Sequence, residues 1–399
     1  MIAELRIDLG AIQRNVDALA ELVAPAVVVP VIKANAYGHG LIDVARALDG
    51  RVRRLAVYEL DEALALRAAG IAGAIHVLGP IPARTLDAAH AAGVEITLWD
   101  GGSYLDDVAA AAHDGGSPFR VHAKIDTGVA RLGMRVADAP ARLRRYAAHP
   151  SLELVGAFSH LAAAEELDST FTREQLDAFA TATRGVSPEV ERHIAATAAA
   201  MLWPETRLDS VRAGIGIYGL WPSPETERIM RERGFSLKPA LEWHTRLVLI
   251  HDVPAHTPVG YGCAYHTKRP SRIGVLPIGY AEGLARNAGD RGNVLILGQT
   301  CRIVGRVCMN MTFVDCTDVP DAIPGTIVTL IGHDGIAAIG ADELAAATGT
   351  IAYETVTRLP AHVPRSYLVT APPDYASGRP AATSGSPSST TRFRPDPLA

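Results

Sequence analysis

A lysine at the end of an apolar run is the first residue with chemical promise. Val31-Ile32-Lys33 is followed by Ala34-Asn35-Ala36-Tyr37-Gly38-His39-Gly40. A strand over residues 27–33 would carry the Lys33 ammonium to its end. Partial desolvation there favours the neutral amine that a Schiff-base lysine requires. Gly38 and Gly40 let the backbone turn and approach a ligand closely. A second candidate is Gly214-Ile215-Gly216-Ile217-Tyr218-Gly219, which matches G-x-G-x-x-G. A dinucleotide fingerprint would open a long helix at this point, and Pro222 and Pro224 stand against that. Two readings remain, a phosphate cradle of backbone N–H groups or a plain tight turn. Lys124 with Asp126, His160, Thr197 and Arg212 also end apolar runs. Taken singly, each fits a solvated rim or a satisfied core as well as a site. Tyr261, between two glycines, and Tyr280, after Gly279, are reachable, but spacing alone selects neither.

These residues gain weight from the elements that carry them. Short apolar runs at 27–33, 55–58, 74–79, 94–99, 119–125, 152–159, 190–195 and 208–212 read as strands. Helical spacing or a turn follows each, and Gly70 and Gly93 close two of the helices. Strict alternation implies parallel strands joined by crossovers. Eight such repeats predict an α/β fold with an N-terminal (β/α)8 TIM barrel; an open doubly wound sheet is the rival. In a barrel the site lies at the C-terminal ends of the strands, which are the positions of Lys33, Lys124, His160, Thr197 and Arg212.

From about residue 237 the pattern changes to short β-rich runs at close spacing: 245–250, 272–277, 294–297, 300–307, 312–315 and 326–331. They predict a mostly β C-terminal domain, with one helix over 341–348. The expected organisation is a barrel over 1–236, whose first strand could join the β domain, a β domain over 237–371, and a disordered tail over 372–399. The tail is rich in Pro, Ser, Thr, Gly and Ala, too poor in large apolar residues to repay its ordering entropy.

Composition excludes several classes of function. The 399 residues carry a formal net charge of −5, which speaks against nucleic-acid binding. No apolar run is long enough to span a membrane, and residues 1–11 lack the form of a signal peptide. Cys263, Cys301, Cys308 and Cys316 form no C-x-x-C. They suit the reduced thiols of a cytoplasmic protein and predict no metal site.

Taken together, the motifs closely resemble alanine racemase, a family of fold type III pyridoxal-phosphate (PLP) enzymes. The Lys33 segment resembles the family's cofactor-lysine signature. Further matches are Lys124-Ile125-Asp126-Thr127-Gly128 running to Arg131-Leu132-Gly133, Phe158-Ser159-His160, Val211-Arg212-Ala213-Gly214-Ile215, Gly260-Tyr261-Gly262, Gly279-Tyr280-Ala281-Glu282-Gly283, Gly305-Arg306-Val307-Cys308-Met309 and Val363-Pro364-Arg365. The similarity runs in order to about residue 370.

The resemblance implies two-base interconversion of L-alanine and D-alanine, supplying D-alanine for peptidoglycan. It implies that Lys33 carries PLP and acts as one base, and that Tyr261 is the opposing base, supplied by a second subunit of a homodimer. Tyr37, His160, Thr197, Arg212, Gly214, Ile215 and Tyr353 fall at cofactor-binding positions, with Arg212 facing the pyridine nitrogen. Arg131 and Met309 fall at substrate-binding positions. Lys124 matches a lysine often carbamylated in the family, and Tyr280 and Arg365 line the way into the site. Ala196-Thr197 stands where the family often has Asn-Ser, and Asn310 where Asp is common.

Overall fold

The computed structural model describes residues 3–99 and 103–370. The expected tail over 372–399 lies outside the described residues. Eight parallel strands form a closed ring: Val27–Pro30, Arg54–Val57, Ala74–Val77, Glu95–Leu98, Phe119–Asp126, Leu152–Phe158, Glu191–His193 and Ser210–Ala213. The second to seventh pair in order, and the eighth pairs with the first. Single bridges, Val31 to Ala56 and Ala196 to Arg212, join the two sets. The sequence-predicted barrel is thus the observed architecture.

The barrel interior departs from the usual layers of branched aliphatic side chains. Arg54 on the second strand pairs with Glu191 on the seventh at 2.9 Å and with Glu95 on the fourth at 2.5 Å. Strands so far apart in the ring meet only through its centre. Alternate residues share one face of a strand, so Arg120, His122 and Lys124 rise in steps along a single inward face.

Residues 241–370 build most of a second, ten-stranded sheet. The first strand of the chain, Ala3–Asp8, is part of it. Leu5 lies opposite Trp243 in an antiparallel pair and beside Arg365 in a parallel one. The beginning and end of the described chain are thereby held together. Where one strand was expected over 245–250, there are two, Leu241–Arg246 and Leu249–Val253. They belong to different parts of the sheet, the first beside Ile327–Asp334 and the second beside Ser271–Leu276. A continuous apolar core runs from Leu5 and Trp243 into the barrel helices.

Three helices among the described residues were not anticipated, Leu9–Val23, Pro224–Glu232 and the short Ala352–Thr357 in the β domain. Leu9–Val23 is capped by the Asp8 carboxylate, which accepts from Ala11 N–H at 3.0 Å. It buries Ile12, Val16, Leu19 and Val23, a spacing that the sequence displays. Pro224–Glu232 has Pro224 in its first turn and Ser223 as its cap. Proline is favoured at that position, so Pro224 starts a helix while still excluding one directly after the glycine loop.

Candidate active site

A large cavity of about 910 Å³ opens at the C-terminal ends of the barrel strands. Lys33, Lys124, Arg131 and Arg212 all reach it, as do Tyr37, His160, Thr197, Gly214, Ile215 and Tyr353. Tyr58, Phe158, Glu165 and Glu166 line it as well. Phe158 belongs to the Phe158-Ser159-His160 motif but was given no role in the sequence, and the other three were not singled out; Phe158 ends a strand whose alternate residues face inward.

Lys33 does not end a strand as expected. The strand stops at Pro30, and Lys33 opens a short turn in which Ala34, Asn35, Ala36 and Tyr37 all have φ between 51° and 55°. Successive left-handed residues other than glycine cost about 1–2 kcal/mol each. The turn is held by tertiary contacts. The Asn35 side chain accepts from Leu41 N–H at 2.9 Å, and the Arg365 guanidinium donates to the Gly38 carbonyl at 2.8 Å. Gly38 itself has φ 80°, and a Cβ there would sit 2.1 Å from the Val356 carbonyl oxygen.

The electrostatics follow from burial and from like charge. Burial lowers the pKa of the Lys33 amine; Arg131 and Arg212 lower it further, against an opposing Glu62. Lys124 lies well below its ordinary value for the same reasons, with its Nζ 4.2 Å from the centre of the Phe158 ring. His160 is held well below the usual histidine range, first by burial and then by the surrounding cations. Burial brings Arg212 down to about 10, which still leaves it charged at neutral pH.

Cations converging in a half-enclosed space call for an anionic ligand. The donor set suits PLP with an amino acid. Arg212 gives Nη1 to His193 Nδ1 and the His193 carbonyl, and Nη2 to the Ser159 and Ile194 carbonyls. Its Nε–H alone, among its five donors, has no partner among the described residues, so it is the one left for a ring acceptor. The glycine loop packs tightly against two polar side chains. A Cβ on Gly214 would lie 2.6 Å from Tyr37 Oη, and one on Gly216 2.7 Å from Thr197 Cγ2. Thr197 Oγ1 accepts from Gly214 N–H at 3.1 Å. Burial pushes the Tyr37 hydroxyl up to about 12, so it remains a donor. The Tyr37 ring packs beside Tyr218 and Tyr353, at 5.0 and 6.3 Å between centres.

Other candidates from the sequence lie elsewhere. Tyr261 and Met309 do not line the cavity; they are 72% and 57% exposed on the β domain. Tyr280 is exposed too. Arg365 directs its other donors to the carbonyls of Leu359, Pro360, Ala361 and Val363, and so braces the Lys33 turn from behind.

Comparison with known proteins covers most of the described chain. The model of the alanine racemase N-terminal domain matches residues 7–222, and that of the C-terminal domain matches residues 240–367. An alanine racemase of Desulfosudis oleivorans is 40% identical over 379 residues, covering 90% of this chain and 95% of the relative. One of Frankia casuarinae is 40% identical over 371 residues, covering 91% and 95%. The crystal structure of alanine racemase from Streptomyces lavendulae superposes with a TM-score of 0.87 at 37% identity, covering 93% of this chain and 98% of that one. That of Bacillus anthracis, with bound L-Ala-P, has a TM-score of 0.83 at 35% identity, covering 92% and 95%. With both domain models matched in order and relatives similar over nearly their full length, this chain belongs to the alanine racemase family.

Proposed function

We propose that the chain catalyses the PLP-dependent interconversion of L-alanine and D-alanine, supplying D-alanine for peptidoglycan. Family membership supports the reaction. The observation that carries it to residues is Lys33, a desolvated amine that shares one cavity with Arg131 and Arg212. When bound at Lys33, PLP supplies the electron sink that makes the α-proton of an amino acid removable.

The residues divide the remaining work. Tyr37, Thr197, Gly214, Ile215 and Tyr353 surround the space that suits the phosphate. His160, kept neutral, adds a flat, uncharged neighbour for the cofactor. Arg131 offers a guanidinium to the substrate carboxylate. Arg212 presents its free Nε–H to the pyridine nitrogen. Because a guanidinium does not readily give up that proton, the ring stays uncharged, and side reactions that need a stronger electron sink are disfavoured. Lys124, buried among cations, suits conversion to a carbamate that would orient Arg131.

Inverting a stereocentre needs proton transfer on two opposite faces. Lys33 Nζ serves one face. Tyr261 Oη serves the other, and since it lies outside the cavity of its own chain, it reaches the site from a second copy, as does Met309. The working unit is thus a homodimer. Tyr280, exposed on the same domain, and Arg365, which holds the Gly38 carbonyl beside the Lys33 turn, border the way in. Four unpaired thiols suit a reducing compartment, and we place the enzyme in the cytoplasm.

The test is chiral analysis of L-alanine incubated with purified protein and PLP. D-Alanine should form with the intact chain and not with Lys33→Ala. Its absence from the intact protein, with PLP bound, would overturn the assignment of alanine as substrate.

A further inference from the structure

Behind Arg212 the barrel interior holds a line of side chains that the reaction scheme above does not use. His193 Nδ1 lies 2.6 Å from Arg212 Nη1, His193 Nε2 lies 3.1 Å from His122 Nδ1, and His122 Nε2 lies 2.9 Å from a Glu95 carboxylate oxygen. All of these side chains are buried. Beyond Glu95 the line ends in Arg54, buried, and Arg120, which reaches solvent.

The chemistry of Arg212 dictates the direction of every bond. A guanidinium only donates, so His193 Nδ1 must accept and its ring proton must sit on Nε2. That proton is donated to His122 Nδ1, so the proton of His122 must also sit on Nε2. It is donated to Glu95, which must be ionised. A second proton on either ring would set N–H against N–H. Burial first, then nearby Arg54, Arg212 and His76, keep His193 and His122 below the usual histidine range, although Glu95 and Glu191 pull His122 the other way. Burial alone would raise the Glu95 carboxyl, but His122, Arg54 and Arg120 bring it to about 2.

Packing fixes the tilt of both rings. His76 stacks on His122 at 3.9 Å, and Phe158 lies parallel to His193 at 4.9 Å. Gly156 makes room for His122, since a Cβ there would lie 2.2 Å from its Nδ1. The arrangement also explains why Glu95 stands two imidazoles away from Arg212. A carboxylate in direct contact would orient the guanidinium but neutralise it. Neutral rings orient it and leave its charge facing the cavity.

We propose that His122 and His193, aligned from Glu95, are positioning residues that hold Arg212 in one orientation with Nε–H toward the cofactor ring. The proposal rests on Arg212 being the residue that meets that ring.

The test begins with the unsubstituted protein labelled with 15N-histidine, without and with PLP. Between about pH 6 and pH 9, His122 and His193 should both appear as neutral rings protonated at Nε2. An Nδ1–H form, or a doubly protonated ring, overturns the proposal. The second step compares His122→Leu with His122→Gln, since Gln can accept and donate in the same direction. His122→Leu should lower kcat about tenfold to a hundredfold through loss of alignment and shift the absorption band of bound PLP. His122→Gln should recover to within about fivefold, with KM for alanine changing less than about threefold in either. Unchanged kcat and band in His122→Leu overturn the proposal, as does an equal loss in both variants, which would mark packing alone. If neither variant folds, the tautomers of the unsubstituted protein decide. Failure of that protein to bind PLP or racemise alanine would overturn the functional reading, a result separate from the tautomer measurement.

Discussion

At the scale of single residues, the two proposed bases differ sharply in burial: Lys33 is desolvated in the cavity, and Tyr261 is exposed. Lys33 loses its proton below the usual lysine value of 10.5 because the ammonium is desolvated and faces Arg131 and Arg212. Below its own pKa it is a cation and cannot attack an aldehyde; above it, it is a nucleophile. Loading of PLP onto the apoprotein should therefore rise with pH, with a midpoint below 10.5. Arg131→Ala should move that midpoint up, because a repelling charge is removed; a stopped-flow absorbance profile checks both. Tyr261→Phe should slow deuterium exchange at the α-carbon of L-alanine by about 10²–10⁴-fold, the usual worth of a general base. Exchange from D-alanine and the PLP absorption band should survive. Loss of that band would make Tyr261 structural.

At the scale of elements, the barrel strands deliver charges both to the cavity and to the centre beneath it. Glu95 is held at about 2, against an ordinary 4.5. A depressed carboxyl contributes stability that is fully present above the unfolded value and is lost as pH falls toward the folded one. The melting temperature should therefore fall between about pH 4.5 and pH 2 in the unsubstituted protein, and this part of the fall should be absent in Glu95→Gln. At neutral pH, Glu95→Gln removes one of the two carboxylates that meet Arg54 and leaves it Glu191; it should cost about 1–3 kcal/mol, read from denaturant midpoints. The left-handed turn after Lys33 gives a second element-level prediction. Ala34, exposed with φ 54°, tolerates glycine, and Ala34→Gly should relieve about 1 kcal/mol of backbone strain. The turn is readable as special from Gly38 and Gly40, but its handedness is not. Ala, Asn, Ala and Tyr do not favour positive φ as a run, and it is the Arg365 and Asn35 contacts that impose it.

At the scale of the whole molecule, the decisive feature is the separation of Lys33 in the barrel from Tyr261 on the exposed face of the β domain. If the site is shared between two copies, Lys33→Ala and Tyr261→Phe should complement each other. Co-expressed, they should form mixed dimers with one complete site and recover about a quarter of full activity, because half of the dimers are mixed and each has one good site of two. No recovery, with mixed dimers demonstrated by mass, would place both residues in one chain. Sedimentation of the unsubstituted protein should give twice the 42.2 kDa chain mass.

The sequence by itself narrowed the first domain to a closed barrel or an open doubly wound sheet, because eight apolar runs separated by helical spacing imply parallel strands joined by crossovers. Closure of the ring was decided by the tertiary structure. The sequence also marked out Lys124, His160, Thr197 and Arg212, since parallel strands point their C-terminal ends the same way, and it marked out Lys33 by the apolar run before it, although Lys33 lies in a turn beyond the strand. Only the tertiary structure decided what lies between distant strands. Glu95, His122 and His193 each look like an ordinary polar residue within its own strand. Their hydrogen bonds cross the barrel interior between residues 27 and 71 positions apart, and such contacts exist only once the ring has closed. The first strand is the same kind of case. Ala3–Asp8 carries alternating apolar residues that would suit either sheet, and its place between Leu241–Arg246 and Arg365–Leu368 is visible only in the tertiary pairing.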